Sequence, residues 1–118
     1  MTQPKTRVIV ESPFAGATAR IMERNERYLR ACLRDCLMRG EAPFASHGLY
    51  TLPGVLDDGN AVERKLGILA GFAWRPVAEL TAVYDDYGIT ECMMLGVDHA
   101  EATGQRVEFR QLRGQVLA

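Results

Sequence analysis

The chain has 118 residues, 47% of them hydrophobic, and its 14 lysines and arginines nearly balance 15 acidic residues, for a net charge of −1. This length is typical of one domain, which we expect to span residues 1–118. Near-neutrality argues against a nucleic-acid polymer or an anionic membrane as main partner, because both favour a basic excess. No apolar run reaches the roughly 18 residues of a spanning helix and no signal-peptide region precedes the first strand, so we expect a cytoplasmic protein.

The three cysteines give no sign of a metal site or a disulfide framework. Cys32 and Cys36 lie four residues apart within a helical pattern, and Cys92 stands alone. This spacing is typical of small apolar residues on one buried helix face, and it lacks the paired motif of a zinc site. We therefore expect reduced thiols, no bound metal and no cofactor.

The first half of the chain is predicted to form a strand, a long helix and a second strand. Residues 6–11 are rich in β-branched side chains and stop before Pro13, which indicates a central strand. A short apolar run at residues 42–45 predicts a second strand that delivers Ser46 and His47 into a loop. Between these strands, about residues 17–39, apolar side chains recur three and four apart and predict a helix with one buried stripe, formed by Ile21, Tyr28, Leu29, Cys32, Leu33, Cys36 and Leu37.

The second half is predicted to add two helices and two strands. Residues 48–60 are rich in glycine and should be irregular, while residues 80–84 and 106–110 read as strands. Thr90 is placed as the cap of a helix that runs to about residue 103. The preceding helix is expected to begin at a cap formed by Asp57, Asp58 or Asn60 and to end near Pro76. Its buried face is expected to consist of Val62, Leu66, Leu69 and Phe72 or Ala73.

Strands that alternate with helices indicate an α/β fold. We expect a three-layer, Rossmann-like or flavodoxin-like parallel sheet of about four to five strands with helices on both faces. Ligands of such sheets bind beyond the carboxyl ends of the strands, where the strand order reverses. The loops to inspect are therefore residues 12–16, 46–50 and 85–91.

The first and third of these loops carry the side chains most suited to a ligand. The first offers a hydroxyl, an aromatic ring and a glycine before a helix N-terminus that can hold an anion, although an ordinary strand-to-helix turn explains it equally well. The third offers carboxylates that can accept hydrogen bonds from ribose hydroxyls or act as acid and base, or that simply form a turn before a cap. The candidates are Ser12, Phe14 and Gly16 in the first loop, and Asp85, Asp86, Gly88, Thr90 and Glu91 in the third.

Three further residues have open interpretations. His47 can contact a ligand or form a hydrogen-bonded turn. Asp58 can approach a ligand or cap a helix. Arg64 can bind a phosphate or pair with an aspartate, and the ion pair is the simpler expectation.

Four short motifs follow one another along residues 7–112: Val8-Ile9-Val10-Glu11-Ser12-Pro13-Phe14, Pro43-Phe44-Ala45-Ser46-His47, Leu56-Asp57-Asp58 with Glu63-Arg64-Lys65-Leu66-Gly67, and Val83-Tyr84-Asp85-Asp86-Tyr87-Gly88-Ile89-Thr90-Glu91-Cys92-Met93 with Ala100. Their order and spacing resemble the nucleoside 2-deoxyribosyltransferase-like superfamily, in particular its small bacterial and bacteriophage members. The resemblance implies a Rossmann-like sheet that binds nucleosides or 5′-mononucleotides. Active relatives cleave the bond between base and deoxyribose with a glutamate nucleophile on the helix that follows the D-x-G segment.

Carried over by position, the resemblance assigns two walls of a pocket. Ser12, Phe14 and Gly16 would line one wall, and Asp86, Gly88 and Thr90 the other. It also implies a homodimer or higher homo-oligomer, in which Asp58 approaches the ligand across a subunit boundary.

The chain departs from the family pattern at the glutamate. Alignment on Asp86 and Gly88 puts Cys92 at that position, whereas alignment on Ala100 puts Gly96 there, and neither residue can form a glycosyl ester. Glu91 is one residue from Cys92, and one residue turns a helical side chain by about 100°.

We therefore expect a nucleotide- or nucleoside-binding protein with altered or lost N-glycosidase chemistry, suited to a sensor or sequestering role. The alternative is an N-glycosidase or deoxyribosyltransferase acting on deoxynucleoside 5′-monophosphates, with Glu91 or an acid of the Asp85–Asp86 pair as the catalytic carboxylate. A second alternative is a non-catalytic oligomeric scaffold.

Overall fold

The computed structural model describes residues 5–113. The tail predicted at residues 114–118 lies outside the described residues. Within them, four strands alternate with four helices, and a 3-10 turn at Arg75–Val77 follows the third helix. The strands are β1 (Arg7–Glu11), β2 (Ala42–Phe44), β3 (Leu80–Tyr84) and β4 (Arg106–Arg110), and the helices are α1 (Ala19–Met38), α2 (Ser46–Leu49), α3 (Ala61–Phe72) and α4 (Glu91–Ala102).

The four strands form one parallel sheet in the order β2-β1-β3-β4. This arrangement confirms the predicted α/β class and the central position of the first strand. After β1 the chain moves to one side to form β2, and it then returns past β1 to form β3 and β4. The strand order therefore reverses between β1 and β3, which is where such sheets bind ligands.

One face of the sheet is closed by α1. Side chains alternate along a strand, so Val8 and Val10 of β1 point to this face and join the core formed with Tyr28, Cys32 and Cys36. Both cysteines are completely buried, which confirms the predicted helix stripe there. Its last predicted member, Leu37, is instead 60% exposed.

The opposite face is covered mainly by α4, and α3 lies on the same side, where it packs against α2. Parallel connections are right-handed, so the two crossovers that run from β2 to β3 and from β3 to β4 lie on the same side of the sheet. Val83 of β3 packs there against Met93 and Val97 of α4. Ile9 and Glu11, which alternate with Val8 and Val10, point to this second face.

The inward face of α3 differs from the prediction. Val62, Leu66 and Leu69 are 72%, 56% and 53% exposed, so their expected place in the core is wrong. The helix turns Gly67 and Gly71 inward instead, and a Cβ atom added to Gly71 would lie 2.5 Å from the Ser46 Oγ atom. Close approach of the α3 backbone to α2 thus rotates the apolar stripe toward solvent.

Two local predictions are refined by the structure. Ser46 and His47 belong to the one-turn helix α2 rather than to a loop. Of the three candidate caps for α3, the Asn60 side chain accepts hydrogen bonds from the backbone of Val62 and Glu63. Thr90 caps α4 as predicted. In the described part of the chain, no helix has both the length and the apolar character needed to cross a bilayer.

Candidate functional site

A cavity of about 320 Å³ lies beside the carboxyl end of β1, at the point where the strand order reverses. We call it the main cavity. It is enclosed by the β1 end and the loop after it, by α2, and by α3 and α4. Its place and volume are those of a small-molecule site in an open α/β sheet.

Much of the cavity wall is apolar and partly aromatic. The ring of Phe14 contacts the His47 ring edge-on, with 6.1 Å between centroids. The Tyr50 hydroxyl accepts a hydrogen bond of 2.8 Å from the Trp74 indole, which fixes the Tyr50 ring. The other apolar lining residues include Ile9, Leu56, Ile68, Phe72, Met93 and Leu95. Such walls suit a flat, weakly polar group.

Ser12 and His47 form a polar pair in the wall. The Ser12 hydroxyl lies 2.8 Å from Nε2 of His47, and Ser12 is only 4% exposed. Burial lowers the pKa of His47 to about 4, so the imidazole is neutral near pH 7. A neutral pair of this kind can donate a hydrogen bond to a ligand and can also accept one from it.

Glu11 places a carboxyl group at the buried end of the cavity. Its only hydrogen bond to a described residue is a long one, 3.4 Å from Arg75 Nη2 to Glu11 Oε2, and Oε1 has no partner among residues 5–113. Burial raises the pKa of Glu11 to about 7, although the Arg75 charge acts in the opposite direction. A carboxyl of this kind takes up or releases a proton near neutral pH.

The Glu11 carboxyl occupies the space left by a missing side chain on α4. A Cβ atom added to Gly96 would overlap Glu11, closest to Oε2. The Gly96 position is one of the two at which the resemblance places a glutamate. A carboxyl group therefore reaches this part of the cavity from β1 instead of from α4.

Arg75 is fixed from several sides behind Glu11. Its side chain is 2% exposed and donates hydrogen bonds of 2.8 Å to His99 Nδ1 and 3.2 Å to Gln105 Oε1. It also contacts the Thr81 hydroxyl. The His99 ring stacks on Phe72 with 4.0 Å between centroids, so His99 supports the cavity wall from behind.

The more exposed end of the cavity is rich in charge. Arg64 contacts the Cys92 thiol and has no carboxylate within ion-pair distance among the described residues, so the expected pairing with an aspartate is not formed there. Three carboxylates line this end, those of Asp58, Glu63 and Glu91. With Glu11 and Arg75, the lining contains four carboxyl groups and two guanidinium groups.

The structure brings together six of the ten residues predicted for the site. They come from all three inspected loops and from the segment before α3, and they are Ser12, Phe14, His47, Asp58, Thr90 and Glu91. The remaining four, Gly16, Asp85, Asp86 and Gly88, do not line the main cavity.

Asp86 lies on the other side of the sheet, where its hydrogen bonds join three segments. Its carboxylate accepts hydrogen bonds from the Tyr28 hydroxyl, at 2.5 Å, and from the backbone of Leu112 and Arg113. Burial acts to raise the pKa of Asp86, but these hydrogen bonds outweigh it and hold the pKa below its usual value. The loop after β3 turns Asp86 toward α1, away from the main cavity.

The other three residues outside the cavity have local roles. Gly16 packs against α1, where a Cβ atom would lie 2.5 Å from Ile21 Cγ2. Gly88 adopts a φ of 87° in the turn that its N–H closes onto the Asp85 carbonyl. Asp85 lines a separate open depression with Arg39 and Arg110, and its buried Oδ1 has no partner among the described residues.

The sequence reasoning missed several polar lining residues as site residues, among them Glu11, Tyr50, Glu63 and Arg75. A signal for Glu11 was present, because strand alternation places it with Ile9 on the face opposite Val8 and Val10. A charged residue at the end of a central strand needs a partner or a ligand. No comparable local signal marks Arg75, whose position follows from the turn after α3.

Comparison with known proteins gives a family but no activity. Within the described residues, no group of three or more His, Cys, Asp or Glu side chains is arranged to hold a metal ion. None of the curated proteins matches the chain. The family described as a domain of unknown function, DUF7768, matches residues 6–110, and the chain belongs to that family.

Proposed function

We propose that the protein binds a nucleoside or nucleotide in the main cavity. The observation that carries this proposal is the combination of an apolar, partly aromatic wall with several hydrogen-bonding groups at the strand-order reversal. A nucleobase matches the first feature, and the hydroxyls of a sugar match the carboxylates of the second. The resemblance to the deoxyribosyltransferase-like superfamily points to the same ligand class.

The charge of the lining favours a nucleoside without a phosphate. Four carboxyl groups face two guanidinium groups, and Arg75 lies beside Glu11 at the buried end. A 5′-phosphate would enter an environment with a surplus of negative charge, which disfavours binding. Arg64 is the one guanidinium of the described lining that contacts no carboxylate, so phosphate tolerance depends on it.

Binding without efficient turnover is the form of this function that we favour. The two positions at which the resemblance expects the glutamate nucleophile hold Cys92 and Gly96, and neither supplies a carboxylate. A protein that holds its ligand without consuming it acts as a sensor of that ligand or sequesters it.

Isothermal titration calorimetry tests the proposal. Adenosine, guanosine, cytidine, uridine, their 2′-deoxy forms and the corresponding 5′-monophosphates are titrated separately. We expect at least one nucleoside to bind, more tightly than its monophosphate. Phe14→Ala removes part of the cavity wall and should weaken binding several-fold, whereas Phe109→Ala, at a 55% exposed residue outside the cavity, should not. Absence of binding by every compound at millimolar concentration would overturn the proposal.

The second candidate function is an N-glycosidase or deoxyribosyltransferase, and the position of Glu91 favours it. Glu91 is the first residue of α4 and lines the main cavity beside Thr90. A carboxylate there can act on the bond between sugar and base. Chromatography for free base after incubation with deoxynucleosides and deoxynucleotides tests this function. Loss of base release in Glu91→Gln would support the assignment, and unchanged release would exclude Glu91.

We further propose that the protein associates with itself through the outer face of α3. Val62, Leu66 and Leu69 form a solvent-facing apolar stripe, and the adjacent residues Glu63 and Arg64 line the main cavity. A second copy on this stripe would lie beside the more exposed end of the cavity. Light scattering that shows a strict monomer at high concentration would contradict self-association.

A further inference from the structure

Glu11 is poorly satisfied by its own protein. Its side chain is 16% exposed, its single ion pair is long, and Oε1 has no partner among the described residues. A buried carboxyl group without full hydrogen bonding destabilises a fold. Arg75 has three other partners in His99, Thr81 and Gln105, so Glu11 is not needed to orient that guanidinium.

The Glu11 carboxyl lies between the α4 backbone on one side and the main cavity on the other. The α4 backbone packs closely on one side of the Glu11 carboxyl, where Gly96 has no side chain, and Glu11 also lines the main cavity. The Phe72 ring lies 6.0 Å from the Arg75 guanidinium carbon, so an aromatic wall stands close to the same end. The carboxylates suited to sugar hydroxyls, those of Asp58, Glu63 and Glu91, gather at the other end.

We propose that Glu11 binds an exocyclic amino group of the nucleobase of a nucleoside. The nucleoside enters the main cavity with its base first, and its sugar lies at the acidic, more exposed end. This inference rests on the proposed nucleoside binding and deepens it by naming the ligand class and the recognising group. Only the ionised carboxylate can accept hydrogen bonds with both oxygens at once, one from Arg75 at Oε2 and one from the amino group at Oε1. Binding therefore selects ionised Glu11 and releases a proton wherever free Glu11 is protonated.

The two histidines near the cavity do not give the same proton signal as Glu11. Besides Glu11, the charged or titratable side chains that line the cavity are those of His47, Tyr50, Asp58, Glu63, Arg64, Arg75, Glu91 and Cys92. Burial keeps His47 neutral near pH 7, with a pKa of about 4. His99 lies behind Arg75, and burial together with the Arg75 charge lowers its pKa further from neutrality.

The test uses nucleoside pairs that differ at the amino group, titrated into the full-length protein. The pairs are adenosine with purine riboside, cytidine with uridine, and guanosine with inosine. In the pair that binds best, we expect the amino-bearing member to bind about 10-fold or more tightly, as for a hydrogen bond to a charged group. Glu11→Gln should reduce this preference and Glu11→Met should abolish it. Glu26→Gln, an exposed change on α1, should leave it unaltered.

A second measurement needs no variant. Calorimetry of the same wild-type titration at pH 7, in two buffers of different ionisation enthalpy, reports the protons exchanged on binding. We expect release of about half a proton, because the pKa of free Glu11 is about 7. The titration is repeated between pH 5 and pH 8. Proton uptake, or no proton release at any of these pH values, would overturn the proposal even if the variants failed to fold.

The outcomes separate this inference from the proposed function. Nucleoside binding with equal affinity inside each pair, and without proton release, would leave the proposed function standing and reject the role of Glu11. Failure of every nucleoside and nucleotide to bind would reject both.

Discussion

Glu11 and Asp86 lie at the ends of neighbouring central strands, yet the protein treats their carboxyl groups in opposite ways. Asp86, beyond β3, accepts hydrogen bonds from one tyrosine and two backbone amides, and its pKa is lowered. Glu11, at the end of β1, has one long contact with Arg75, and its pKa is raised to about 7. Asp86 faces α1 and a closed core, whereas Glu11 faces α4 and an open cavity.

The difference shows that partners, and not position along a strand, separate a structural carboxylate from a candidate functional one. Three donors satisfy Asp86, so its ionised form stabilises the fold. Glu11 keeps an oxygen that only a ligand or water can satisfy. We therefore expect substitutions at Asp86 to act on stability and substitutions at Glu11 to act on binding.

The largest stability effect is expected from Asp86→Ala. This change leaves the Tyr28 hydroxyl and the amides of Leu112 and Arg113 without their acceptor and should lower the free energy of unfolding by about 3 kcal/mol or more. Urea denaturation followed by circular dichroism measures it. The exposed change Glu26→Gln is the control, with an expected effect within about 0.5 kcal/mol. A small loss for Asp86→Ala would remove the contrast on which the comparison depends.

Local sequence pattern was sufficient for the sheet but not for the helix between β2 and β3. The predicted bounds of β3 and β4 agree with the observed ones. The alternating and β-branched residues that mark each strand lie within a run of five residues, so local pattern alone identifies it. The same reasoning turned Leu66 and Leu69 of α3 inward. Their exposure results from the packing of Gly71 on Ser46, a tertiary contact that hydrophobic periodicity does not reveal.

The sequence predicts the location of the candidate site in the fold more reliably than the side chains that form it. Fold class alone indicated the strand-order reversal, and Ser12, His47 and Glu91 do meet there. Asp86 was proposed as catalytic because its loop is acidic, but the partners that hold it on the other face come from α1 and from the segment after β4. Glu11 was overlooked because a sequence shows which face a strand residue takes and not whether that face is filled.

The pH dependence of stability should distinguish the two carboxylates next. Because the pKa of Glu11 is raised in the folded protein, its contribution to the free energy of unfolding is fully present below about pH 4.5. This contribution is lost as the pH rises through about 7. The stability of the wild type relative to Glu11→Gln should thus fall by on the order of 3 kcal/mol over this interval. Asp86 has the opposite sign, since its lowered pKa removes stability only as the solution becomes acidic. A difference between wild type and Glu11→Gln that does not change with pH would contradict this account.

A smaller effect, about 1–3 kcal/mol, is expected from Gly96→Ala, because the new methyl group would overlap the Glu11 carboxyl. A double-mutant cycle with Glu11→Ala measures whether this contact is the cause. If it is, Glu11→Ala should recover most of the loss, since it removes the group that the methyl meets. Additive effects of the two changes would instead mean that Gly96 is required for another reason, such as the approach of α4 to the sheet.

The smallest effect on stability, and a large one on assembly, is expected from Leu66→Glu. Leu66 is 56% exposed on α3, so a charge there should alter the unfolding of a monomer by no more than about 0.5 kcal/mol. If the stripe of Val62, Leu66 and Leu69 is covered by a second copy, the buried charge should dissociate the oligomer. Light scattering of the wild type and the variant across a concentration series measures this, with Glu26→Gln as the control on α1. Because the neighbours of Leu66 line the main cavity, a nucleoside affinity that falls together with the oligomer would indicate that a second copy contributes to the site. An unchanged affinity in the dissociated variant would show that one chain, with Glu11 at its buried end, is sufficient for binding.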